Sequence, residues 1–133
     1  MAIEAVRYIS YPEAVLIHIE LMQLMGETRY GVFERTLIES ALARPLSAAN
    51  YEGASIVRQA ATLCYGLIKN HPWVGGNKRT ATTIMRIFLR LNGYKLVAPT
   101  REQIEMVLAV ESDRWQVDEI DAWIRRYLAP INP

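Results

Sequence analysis

The 133-residue sequence has one cysteine, so it forms no internal disulfide and no cysteine-rich metal site. That residue, Cys64, sits in the apolar run ATLCYGLI and reads as a small buried core residue rather than a nucleophile. Charge of one sign is also lacking. Fifteen Lys and Arg stand against fourteen Asp and Glu, a net charge of +1, so no global field draws the chain to nucleic acid or anionic lipid. Affinity for phosphate must come from a local cluster. No stretch approaches the roughly 18 uninterrupted apolar residues of a membrane span, and the opening MAIEAVRYIS has neither the basic start nor the apolar core of a signal peptide. These absences make a cytoplasmic protein the expectation. Internal repeats, low-complexity tracts and Pro/Gly-rich linkers are missing too, so residues 1–133 read as a single domain, within the usual range of about 100–150 residues.

What is present is helical periodicity. Ser10-Tyr11-Pro12-Glu13 reads as a capping box with proline at the first helical position, followed by Ala14, Val15, Ile17, Leu21, Met22 and Met25 at three- and four-residue spacing, with Gly26 as the stop. A short second helix is expected from Glu34 to Ala43, ending before Pro45, and LSAANYEG, 46–53, then reads as an exposed connection. A third helix opens near Ser55 and runs to about Asn70, where Pro72 ends it. A fourth covers about Asn77 to Asn92, terminated by Gly93. Thr100-Arg101-Glu102-Gln103 repeats the capping-box pattern and starts a helix through about Val110, and Val117 to Leu128 forms the last. Short extended pieces are expected near 4–9 and 94–98. The fold class is therefore all-α, a compact bundle of about six helices, with the longest apolar faces on the third and fourth.

Between those two core helices lies NHPWVGGNKRT, 70–80. A helix N-terminus leaves its first N–H groups without partners and carries about half a positive charge, which makes it an anion site. Gly75 and Gly76 let backbone approach a bound oxygen closely. Lys78 and Arg79 oppose the macrodipole by roughly 0.3–1 kcal/mol each, a cost that a bound phosphate reverses. Pro72 biases His71 away from α and toward extended backbone, and Trp73 is expected to pack beneath the loop. A histidine beside a phosphate site suits a general base that takes a proton from an attacking hydroxyl. The competing reading is a plain helix–turn–helix corner, with His71 capping backbone and the two cations solvated. A P-loop does not fit, because GGNKRT places an asparagine between glycine and lysine and follows no strand. Elsewhere, His18 falls on the apolar side of the first helix and reads as a core or rim histidine, and Arg86 and Arg90 as a solvated or partner-facing edge.

The stretch His71-Pro72-Trp73-Val74-Gly75-Gly76-Asn77-Lys78-Arg79 resembles the signature His-Pro-Phe-x-(Asp/Glu)-Gly-Asn-(Gly/Lys)-Arg of the Fic/Doc family. NKRTA, 77–81, and FLRLNGY, 88–94, are similar to its death-on-curing (Doc) branch. The likeness extends more loosely from IESALARP, 38–45, to the chain end. It implies an all-α, Fic-like domain whose loop binds ATP. His71 would be the base, Asn77 and the Gly75–Gly76 backbone an anion hole, Lys78 and Arg79 phosphate ligands, and Pro72 and Trp73 the loop anchor. Asn50 and Tyr51 would lie in the family's target-docking flap. The Doc branch implies a toxin that phosphorylates a threonine of elongation factor Tu and blocks translation, neutralised by a small antitoxin whose C-terminal segment binds it. No nucleic-acid or membrane partner is implied.

AMP-transferring members usually carry glycine at the position of Lys78 and a second arginine at that of Thr82, which favours the Doc reading here. The self-inhibitory (Ser/Thr)-x-x-x-Glu-(Gly/Asn) motif is also missing, since Ala48 stands before Glu52-Gly53 where the hydroxyl belongs. Two departures remain. Trp73 replaces phenylalanine, and Gly75 replaces the acidic residue that holds Mg²⁺, so the motif side chains supply no metal ligand. The alternatives are thus an AMP-transferring enzyme, or a phosphate- or antitoxin-binding module with impaired catalysis.

Overall fold

Ser55 begins the central helix of the molecule by accepting, through its Oγ, the N–H of Arg58 at 3.2 Å. That helix, α3 (Ile56–Asn70), buries ten of its fifteen residues, so it is wrapped on nearly every side. A computed structural model describes residues 5–131, and among them are six helices and one two-stranded sheet. Around α3 pack α2 (Arg35–Glu52), α4 (Asn77–Leu91), α5 (Thr100–Glu111) and α6 (Val117–Tyr127), while α1 (Tyr11–Leu24) lies against α2 and α4. The core joins Leu63, Leu67 and Ile68 of α3 to Ile84, Phe88 and Leu89 of α4 and to Ile120 and Ile124 of α6. Cys64 is fully buried there, and burial pushes its thiol up to about 12, which keeps it protonated and inert.

The caps explain most helix boundaries. Ser10 and Glu13 form the reciprocal capping box at α1, with Glu13 Oε1 receiving the Ser10 N–H at 2.9 Å. The box expected at Thr100 does not form. Pro99 is the cap residue without a side-chain bond, and Gln103 instead donates to the Ala98 carbonyl at 3.0 Å. α6 begins with a pattern the sequence reading passed over, the Gln116 N–H on Glu119 Oε1 at 2.7 Å.

The chain after α4 turns back as β1 (Tyr94–Leu96), antiparallel to β2 (Leu128–Pro130), with Lys95 opposite Ala129. Of the extended pieces expected, 94–98 thus holds β1. Residues 5–9 form no strand but are held by Asn92, whose side chain bonds the Arg7 N–H and carbonyl at 2.9 and 3.0 Å; residue 4 lies outside the described residues.

The largest correction concerns α2. It does not stop before Pro45 but continues through it to Glu52, so residues 46–52 are helix and not an exposed connection. A proline inside a helix costs about 3 kcal/mol in isolation. Ile38, Ala41, Pro45 and Ala48 nonetheless continue one buried stripe at three- and four-residue spacing, and its packing outweighs that cost. The stripe gives a direct test. Ala48→Asp would bury an unpaired carboxylate and is expected to destabilise by at least about 3 kcal/mol in chemical denaturation. The exposed Asn50→Asp, two residues on, should stay within about 0.5 kcal/mol of the parent. Equal, small effects would mean that 46–52 is a loop after all.

Candidate functional site

The loop between α3 and α4 is shaped from both ends. α3 closes at His71, which leaves the helix through the left-handed region at φ 47° and ψ 54°, not through the extended conformation that the following proline favours. Positive φ in a non-glycine residue is strained. Pro72 and Trp73 then run beside the segment after α1. The Pro72 carbonyl receives the N–H groups of Phe33 and Glu34 at 2.9 and 3.1 Å, and Val74 N–H donates to Gly31 at 2.8 Å. Trp73 and Val32 form an antiparallel bridge. Asn77 closes the turn: its Oδ1 accepts the Trp73 N–H and its Nδ2 donates to the Trp73 carbonyl, both at 2.9 Å. The Asn77 side-chain amide is therefore engaged at both its oxygen and its nitrogen in closing the loop.

Beneath the loop lies His18, fully buried on α1. Its Nε2 accepts the Gly31 N–H at 3.0 Å, which places the ring proton on Nδ1, and Nδ1 donates to Thr80 Oγ1 at 2.9 Å. The ring also stacks on Trp73, with centroids 4.2 Å apart and planes 14° from parallel. One imidazole thus ties α1, the 26–34 segment, the loop and the first turn of α4 together. Burial lowers its pKa from 6.5 to about 4, so it is uncharged near neutrality. Trp73 is itself buried, and among the described residues its Nε1 is a buried donor without a partner.

The two glycines have different reasons to be there. Gly76 caps α4 at φ 67°, and a Cβ on it would overlap Met22 Sδ. Gly75 has no positive φ; a Cβ there would stand 2.7 Å from the Arg29 carbonyl oxygen. Position 75 lacks room for any side chain, including the acid that the family signature carries.

At the start of α4, Thr80 N–H makes the first intrahelical bond, to Gly76, and no side chain caps the turn. The N–H groups of Asn77, Lys78 and Arg79 precede that bond and have no helical acceptor. Lys78 Nζ lies 3.3 Å from Glu111 Oε1, and His71 Nε2 lies 3.1 Å from Glu111 Oε2. The His71 and Lys78 side chains are half exposed while the Glu111 side chain is 23% exposed. Glu111, the last residue of α5, was not foreseen from the sequence. Arg79 turns toward α1, its Nη1 3.1 Å from Met25 Sδ. There a groove of about 420 Å³ opens between α1, α4 and α5, lined by Leu21, Met25, Lys78, Arg79, Thr82 and Ile104 among others. Arg86 also lines it, and Arg90 is exposed. His71 is not part of its wall.

Asn50 and Tyr51 are not brought to this site. They occupy the last turn of α2, beside the start of α3, while His71 closes the other end of α3. Fifteen helical residues separate the two ends by about 22 Å. The backbone actually laid against the loop is the 26–34 segment, whose Phe33 is 71% exposed. Nor do the residues fit a protein-held Mg²⁺. Position 75 offers only backbone, both Glu111 oxygens are already engaged by His71 and Lys78, and no group of three His, Cys, Asp or Glu among the described residues is arranged to hold a metal.

Two outcomes follow from this packing. Because the folded pKa of His18 is depressed, its contribution is complete above pH 6.5 and is lost as pH falls toward about 4. The slope is about 1.4 kcal/mol per pH unit and the total about 3 kcal/mol. Denaturation at pH 7 and 5 should show the protein weaker at pH 5, with a smaller difference in His18→Gln; identical slopes would remove His18 from the account. Gly75→Ala and Gly75→Asp should each destabilise by about 1–3 kcal/mol through overlap with the Arg29 backbone. Parent-like melting of both would show that this backbone yields freely.

Residues 8–89 match the sequence profile of the Fic/DOC family. A comparison with curated proteins returns no match. The profile covers well over half of the chain and includes the entire loop, α1 to α3 and nearly all of α4. With the helical architecture and the shaped loop already described, it follows that this chain belongs to the Fic/DOC family, whose members generally transfer nucleotide-derived groups to proteins.

Proposed function

We propose that the chain is a Doc-like phosphotransferase that moves the γ-phosphoryl group of ATP to a hydroxyl of another protein, with His71 as the general base. The observation that carries this reading is the pairing of His71 with Lys78 across one carboxylate, beside a helix start whose first amides are uncapped. Those amides, with Lys78 and Arg79, receive the phosphate oxygens and stabilise the charge that develops in transfer. His71 takes the proton of the acceptor hydroxyl, the hydroxyl oxygen forms its bond to the γ-phosphorus, and ADP leaves with the electrons of the broken P–O bond. This loop offers no carboxylate for Mg²⁺, so any Mg²⁺ the transfer needs would have to be brought by the nucleotide.

Phosphoryl rather than AMP transfer is supported at two positions. Lys78 sends an ammonium across the loop where AMP-transferring members have glycine. Thr82, where they have a second arginine, turns its hydroxyl back onto the Arg79 carbonyl at 3.0 Å and brings no cation. By the same resemblance the target is a threonine of elongation factor Tu, with loss of translation as the result, and the partner is a small antitoxin. The groove between α1, α4 and α5, apolar at Met25 and Ile104 and cationic at Arg79 and Arg86, suits an amphipathic acidic segment of that antitoxin.

Intact-mass measurement of elongation factor Tu after incubation with the protein, ATP and Mg²⁺ tests the proposal. One phosphoryl increment is expected. His71→Ala should slow its appearance at least about 10²-fold. An adenylyl increment would instead assign AMP transfer, and an unchanged target would leave a binding module whose catalysis is impaired at Gly75.

A further inference from the structure

The carboxylate that joins His71 to Lys78 comes from a helix that the family profile does not reach. The profile ends at residue 89, and Glu111 closes α5. We propose that Glu111 is the positioning residue of His71. It holds the proton of the neutral ring on Nε2 and leaves Nδ1 as the nitrogen that accepts the substrate proton. This rests on the reading of His71 as the base.

Three observations carry it. First, the contact is specific in its atoms. Glu111 Oε2 meets His71 Nε2 at 3.1 Å, and an ionised carboxylate can only accept, so the neutral imidazole must donate from Nε2. Fixing a tautomer in this way is how a carboxylate prepares a histidine for proton transfer.

Second, the backbone takes up left-handed conformations at His71 and close to Glu111. Among the described residues two non-glycine residues have positive φ, His71 at 47° and Asp113 at 63°. One is His71 itself, at the end of α3, and the other lies two residues after Glu111, where the chain turns just beyond α5. Asp113 also pairs with Lys69 in the last turn of α3, and Arg114 and Trp115 both donate back to the Ala109 carbonyl, at 2.9 and 3.0 Å. The end of α5 is thereby pinned to the end of α3 independently of Glu111. Strain kept in this way concentrates where geometry matters for function.

Third, the second oxygen of Glu111 holds Lys78. One carboxylate therefore sets the spacing between the base and a phosphate ligand. In the reaction, the proton leaving the acceptor hydroxyl settles on Nδ1, the ring becomes an imidazolium between that proton and the Nε2 proton, and Glu111 balances its charge until solvent removes the proton.

The ring is observable without any reaction. In ¹⁵N-resolved NMR of the full chain in mildly alkaline solution, the His71 ring should carry its proton on Nε2, with a signal protected from solvent exchange. Glu111→Gln, which keeps an acceptor oxygen, should retain that signal, and Glu111→Ala should lose it. A wild-type ring protonated on Nδ1, or a signal unchanged in Glu111→Ala, would overturn the proposal whatever the activity. In the phosphoryl-transfer assay, Glu111→Ala should lower kcat about 10–100-fold without raising KM for ATP, because Lys78 is freed for phosphate. Glu111→Gln should recover most of the rate. Full kcat in Glu111→Ala, or a loss confined to KM, would also count against it. If no transfer occurs even with the parent protein, the functional reading fails and the NMR result alone decides the role of Glu111.

Discussion

A neutral, buried imidazole is the constraint on which the rest of this architecture depends. The loop from His71 to Gly76 must join two helices whose faces are deep in the core, and it has no regular structure of its own to hold it. His18 supplies the hold by accepting from Gly31, donating to Thr80 and stacking on Trp73. Protonating it would turn its acceptor nitrogen into a second donor facing the Gly31 N–H. The uncharged ring thus joins the backbone bonds of Phe33, Glu34 and Val74 and the side chain of Asn77 in fixing the loop and the 26–34 segment laid across it.

The site built on that base is cationic on one side and bridged on the other. The uncapped amides of α4 and the cationic residues Lys78 and Arg79 belong to the same first turn of the helix, which is unfavourable to the macrodipole unless an anion is present. Glu111 answers part of that charge from across the fold and does so through His71 as well as Lys78. The chemistry proposed here follows from that juxtaposition more than from any single residue. A helix start without a side-chain cap, the proposed base and the carboxylate proposed to orient it are gathered where α3, α4 and α5 end or begin.

Much of this was legible in local sequence. Ser10 with Glu13, Ser55 before an apolar run and Pro72 after one marked helix ends by groups that act within four residues of each other, and such signals survive folding. The motif from His71 to Arg79 was equally plain, since it is contiguous. What stayed hidden depended on partners far along the chain. Pro45 reads as a stop unless the packing of Ala41 and Ala48 is known, and that error made an exposed connection of the helical turn that holds Asn50 and Tyr51. Gly75 reads as a lost metal ligand until the Arg29 carbonyl is seen against it. Glu111 is forty residues from His71 and one acid among fourteen. The one clue was indirect: a loop with His71, Lys78 and Arg79 and no acid of its own needs a counter-charge from elsewhere in the fold.

The central claim is that the first turn of α4 binds the phosphates of a nucleotide, and amide NMR during titration with ATP and Mg²⁺ tests it most directly. The account predicts saturable shifts at the N–H groups of Asn77, Lys78 and Arg79 and at the His71 ring, abolished together in a Lys78→Ala, Arg79→Ala double variant that still folds. Amides at 77–79 that remain unmoved at millimolar ATP, or shifts that persist unchanged in the double variant, would contradict it.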